Sequence, residues 1–94
     1  MFVISLTYKA GLDAVDSHLD AHVAWIKAAI ADGWLLMAGR KVPREGGILL
    51  ARGERADIEA KAATDPFVVE GVADVSVIEF APSFAVPELE WLKP

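Results

Sequence analysis

Apolar and polar positions alternate from Phe2 to Tyr8, with Phe2, Ile4, Leu6 and Tyr8 on one face and Val3, Ser5 and Thr7 on the other. A period of two predicts a strand with one face well buried. Lys9-Ala10-Gly11 breaks the alternation, and the period then lengthens. Leu12, Val15, Leu19, Val23, Ile26 and Ile30 recur at three- and four-residue spacing, the apolar stripe of a helix that Asp13 caps and Gly33 ends after Asp32.

Trp34 to Ala38 (WLLMA) is an apolar run that predicts a second strand, and Gly39 to Gly47 (GRKVPREGG) is a turn-rich loop. Ile48 to Ala51 begins a third strand. Arg55 to Thr64 reads as a shorter helix with Ile58 and several alanines inward. Asp65 and Pro66 restart the chain as cap and first helical residue of a turn or two that Gly71 closes. Ala73 to Phe80 alternates again as a fourth strand. From Pro82 the chain mixes prolines with Phe84, Val86, Leu89, Trp91 and Leu92.

Strand, helix, strand, strand, helix, strand is the α+β, ferredoxin-like βαββαβ order: a four-stranded antiparallel sheet with two helices on one face. Residues 1–82 make this domain and 83–94 a tail. Helices cover only one side of such a sheet, yet the strands carry apolar residues on both. A homodimer joined sheet to sheet is therefore expected, with the tail packing on the partner.

Composition narrows the function. The chain of 94 residues is 54% hydrophobic with a net charge of −5, and it has no basic stripe or aromatic RNA-binding pattern, so nucleic acid is not expected as a partner. With no cysteine, thiolate metal sites and a cysteine nucleophile are excluded. No segment reads as a signal peptide or membrane span, and a cytoplasmic location is expected.

Both histidines fall in "HLDAHVAWI", residues 18–26. Relative to Leu19, His22 lies about 60° to one side of the stripe and His18 about 100° to the same side, on a flank shared with Trp25 and Ala29. Zinc proteases use histidines four apart, but their glutamate position is Leu19 here and no further nitrogen or sulfur ligand exists, so no metal is expected. Two roles remain for His22. It is either a core-edge histidine or an acid–base catalyst oriented by a carboxylate, for which Asp65 is the candidate; helix capping alone would also account for Asp65.

His22 together with "DGWLLMAG" (32–39), "GGILLA" (46–51), "TDPFVVEGVA" (64–73) and "VIEFAP" (77–82) resembles the YciI-like family. The resemblance runs nearly to Phe84. It implies the dimeric α+β barrel superfamily and a histidine–aspartate acid–base pair in a cleft, matched here by His22 and Asp65. It also implies lyase or isomerase chemistry, since a similar protein is a dehydrochlorinase of a chlorinated hydroxyquinol and muconolactone isomerase is a distant relative.

The sequence departs from the family where many members read "AGP": here it is Ala38-Gly39-Arg40. Arg40, with Lys41 and Arg44, is either a solvated loop cation or the holder of an anionic substrate group. Trp25 either walls the pocket or packs on the tail, and His18 is a further candidate for substrate contact. No cofactor is implied, because Gly46-Gly47 is the only hint of a phosphate-cradling turn. The expectation is a small-molecule enzyme of lyase or isomerase type; the alternative is a non-catalytic small-molecule binding or interaction module on the same fold.

Overall fold

A computed structural model describes residues 1–94. The chain forms β1 (Phe2–Tyr8), α1 (Leu12–Ser17), α2 (Leu19–Asp32), β2 (Leu35–Arg40), β3 (Gly46–Ala51), α3 (Arg55–Ala62), α4 (Pro66–Val69) and β4 (Ala73–Glu79), then a 3₁₀ turn at Pro87–Leu92. The strands lie in the order β2-β3-β1-β4, every neighbouring pair antiparallel. This is the ferredoxin-like arrangement expected from the element order.

The two-residue period of β1 sets the layers. Phe2, Ile4 and Leu6 are each 1% exposed and pack with Leu35, Leu49, Ala51, Ile58, Phe67 and Ala73 beneath the helices. Burying each large side chain contributes about 1.5–3 kcal/mol, so this face supplies most of the driving force. α2 lies over β2, and α3 over β1 and β4. On the opposite face Met37, Leu50, Val3 and Ile78 pair across all four strands as one apolar row. Met37 and Ile78 at its ends are exposed.

Three sequence expectations need correction. The first helix is not continuous. Gly11, not Asp13, precedes α1, and the chain breaks at His18 before α2 begins. The Ser17 hydroxyl donates to the Ala14 carbonyl, 2.6 Å away, and such back-bonding from serine bends helices. Second, only part of the apolar stripe is buried. Leu12, Leu19, Val23 and Ile30 are exposed, whereas Val15, His22 and Ala29 face inward, with Ile26 half-buried beside them. Third, Gly39 and Arg40 belong to β2 and Gly46–Gly47 to β3, so the connecting loop is shorter than the turn residues suggest. Extending the β2–β3 ladder satisfies the backbone groups at this end of the sheet.

Candidate active site

Pro66 cannot donate a backbone hydrogen bond and sits at the first position of α4, where none is needed. Asp65 before it is the cap: its Oδ1 accepts from the Phe67 amide at 3.0 Å. The same oxygen lies 2.8 Å from His22 Nδ1. Asp65 is only 1% exposed and His22 9%. Because Oδ1 already accepts one amide proton, the imidazole supplies the donor to it, which leaves Nε2 as the free nitrogen. Asp65 Oδ2 is buried without a protein partner.

The imidazole is clamped on its face as well as at Nδ1. The Phe67 ring stacks on it with 3.9 Å between centroids and 10° between planes. On α2, the Trp25 ring runs nearly parallel to it at 6.3 Å. Trp25 is itself fixed, donating from Nε1 to Thr64 Oγ1 at 2.9 Å and meeting Trp34 edge-on. An imidazole held this way cannot rotate away from the carboxylate without breaking both stacking and the hydrogen bond.

A cleft of about 490 Å³ opens between α2 and the β2–β3 half of the sheet, with His22 in its wall. Leu19, Val23 and Ile26 line the helix side, while Leu6, Ala38, Gly47 and Leu49 line the sheet side. Leu19 and Val23 of the apolar stripe thus wall a cavity instead of filling the core, and Ile26 does both. Tyr8, Asp16, Arg40, Arg44 and Phe67 complete the rim and floor.

The candidate residues separate clearly. His22, Asp65 and Arg40 are brought to the cleft or immediately behind its wall. Trp25 backs the imidazole without lining the cleft, and His18, half-buried at the helix break, does not reach it. The three loop cations diverge: Arg40 lines the cleft, Lys41 donates to Thr7 Oγ1, and Arg44 pairs with Asp16 and lies over the Tyr8 ring. Hydrogen bonds to Asp16 and then Tyr8 raise the Arg44 pKa above its usual value. Phe67, Tyr8 and Asp16 join the site without a signal in the sequence: Phe67 follows the Asp65-Pro66 cap, and nothing in the spacing links Asp16 to Arg44. No group of three or more His, Cys, Asp or Glu side chains is placed to hold a metal. No helix is long and apolar enough to cross a membrane.

An antiparallel βαββαβ sheet with a buried imidazole–carboxylate pair beside a cleft defines a small α+β protein of ferredoxin-like architecture. The YCII-related domain model matches residues 1–81, and the chain belongs to that family. Among solved structures, a 5-chloro-2-hydroxyhydroquinone dehydrochlorinase from Burkholderia phenoliruptrix, in complex with 2,5-dihydroxybenzoquinone, has a similar fold. Its TM-score is 0.72 at 18% identity, covering 84% of this chain and 91% of that one. No curated protein matches the sequence.

Proposed function

We propose that the chain is a small-molecule enzyme of lyase or isomerase type, with His22 as the acid–base catalyst and Asp65 as its orienting carboxylate. One observation carries this reading: a buried imidazole bonded through Nδ1 to a carboxylate, with Nε2 left over in the wall of a cleft. A fixed tautomer and a nearby negative charge are what a histidine base needs to accept a proton and hold it. Nε2 would take a proton from a ring hydroxyl or an acidic C–H of a hydroxylated or carboxylated ring compound. The released electron pair moves into the ring, and either a leaving group such as halide departs with it or the proton returns at another carbon. The first outcome is the net loss of an acid, the second an isomerisation. The dehydrochlorinase with a similar fold supports the former.

The working unit in this reading is a homodimer joined through the open sheet face, with the tail packed on the partner subunit. The apolar row Met37–Leu50–Val3–Ile78 supports the interface, and Phe84, 97% exposed, supports a tail that seeks cover.

The test is turnover of 5-chloro-2-hydroxyhydroquinone and a panel of phenolic acids and lactones, read by absorbance and halide release. The wild type should turn over at least one compound. His22→Asn should abolish turnover while keeping most of the affinity. A variant that lost affinity instead, with no compound converted by the wild type, would point to a receptor rather than a catalyst.

A further inference from the structure

Three charged side chains besides the imidazole line the cleft, and they are not equivalent. Asp16 and Arg44 neutralise one another, and the Arg44 guanidinium also lies over the Tyr8 ring. Asp65 lies behind His22 and is nearly sealed from solvent. Arg40 forms no ion pair with any carboxylate of the chain. The cleft of a protein with net charge −5 therefore holds one uncompensated guanidinium.

Its placement follows from the register. Arg40 pairs across the sheet with Gly47, and Gly47 with Leu6, so the guanidinium stem rises from the same face as Leu6. Gly47 contributes no side chain beside it; a Cβ there would stand 3.3 Å from the Gly39 carbonyl oxygen and 3.8 Å from Leu6 Cδ1. Ala38, next on this face, is nearly as small. A low floor thus runs from Arg40 into the cleft, facing the apolar wall of Leu19, Val23 and Ile26. The cavity combines an apolar lining with one unpaired cation and an imidazole.

We infer that Arg40 is the anion-recognising group of this cleft, and that its ligands are flat ring compounds carrying a carboxylate or an ionised ring oxygen. The inference rests on the reading of the cleft as the small-molecule site. A guanidinium can engage either oxygen group with paired donors, and the apolar walls strengthen the attraction by excluding water. With the anion held by Arg40, the ring lies in the cleft towards His22. Selectivity against neutral analogues comes from Arg40, and the proton chemistry from His22.

Calorimetric titration of matched probes separates the possibilities. 2,5-Dihydroxybenzoate against 2,5-dihydroxybenzamide tests the carboxylate. 2,5-Dihydroxybenzoquinone against its dimethyl ether tests the ionised ring oxygen. At least one anion should bind the wild type more tightly than its neutral counterpart, by about tenfold or more for a charge-assisted pair. Arg40→Ala should erase that preference while leaving the neutral probe unchanged, and Arg40→Lys should restore part of it. Arg40 lies exposed at a strand end, so these variants should melt like the wild type. Equal affinity for both members of each pair, an undiminished preference in Arg40→Ala, or no anion binding at millimolar concentration would each overturn the inference. His22→Asn in the same titration keeps the two assignments apart. Anion binding that needs Arg40, without turnover of any compound, removes the catalytic reading alone. Turnover of anionic rings that is undiminished in Arg40→Ala removes this one alone.

Discussion

Phe67 supports both members of the His22–Asp65 pair: its amide bonds the carboxylate and its ring lies flat on the imidazole. One residue therefore couples the cap of α4 to the wall of the cleft. Phe67→Ala should cost about 3–5 kcal/mol of stability, as expected for a fully buried aromatic. Phe67→Leu should cost much less, because it keeps the amide and most of the volume. If the ring orients His22, the leucine variant should still lose turnover out of proportion to its small shift in urea midpoint. Activity that simply followed stability would reduce Phe67 to filler.

Asp65 has two separable duties. Asp65→Asn keeps an acceptor for the Phe67 amide, whereas Asp65→Ala removes it and should cost about 1 kcal/mol as a lost cap, and more for the unpaired His22 Nδ1–H. The nitrogen-15 shifts of His22 should report the Nδ1–H tautomer in the neutral wild type. In Asp65→Ala they should move towards the Nε2–H form. An imidazole spectrum identical in both proteins would show that the carboxylate does not set the tautomer.

Much of this was readable in advance, for identifiable reasons. β1 and β4 alternate because one face of each is buried, and Asp65-Pro66 announces a helix start by chemistry alone. The orientation of α2 was not legible. His22, Ile26 and Ala29 lie on one side of α2 and Leu19, Val23 and Ile30 on the other; Leu19 and Val23, with Ile26, wall the cleft, while Ile30 is exposed outside it. Hydrophobic periodicity registers which residues avoid water, but it does not distinguish a core from a ligand cavity. Nor does it reveal that Gly39 and Arg40 continue a strand, because glycine and arginine resemble loop residues until the β3 ladder pairs them.

Gly46 is held tightly against β1. A Cβ at this position would fall 1.8 Å from the Leu6 carbonyl oxygen, an impossible contact with backbone that cannot swing aside. Gly46→Ala should therefore unfold the β1–β3 end of the sheet or prevent accumulation of soluble protein. Gly39→Ala is the control, with nothing within 4 Å of its added carbon. Its melting temperature should stay within a few degrees of the wild type. Equal tolerance of both substitutions would mean that β1 and β3 do not approach this closely.

The open sheet face predicts assembly. Ile78→Asp, placing a charge in the apolar row, should yield a soluble monomer by sedimentation velocity where the wild type sediments as a dimer. Ile78 is 58% exposed within one chain, so the substitution should barely affect the fold of a single subunit. Deleting residues 83–94 should also weaken the dimer. A truncated protein that remained fully dimeric would separate the tail from the interface.

The stacking of Trp25 near His22 has an optical consequence. An imidazolium close to an indole quenches its fluorescence by electron transfer, whereas neutral imidazole does so weakly. Trp25 therefore places a chromophore 6.3 Å from the ring that would carry the travelling proton. Its emission should brighten as His22 loses that proton and respond again when a ligand enters the cleft. Trp25→Phe should remove this component and leave the signal of the remaining tryptophans. In the proposed chemistry Trp25 would then serve as an internal probe of the His22 proton, which stopped-flow emission could follow without an added label.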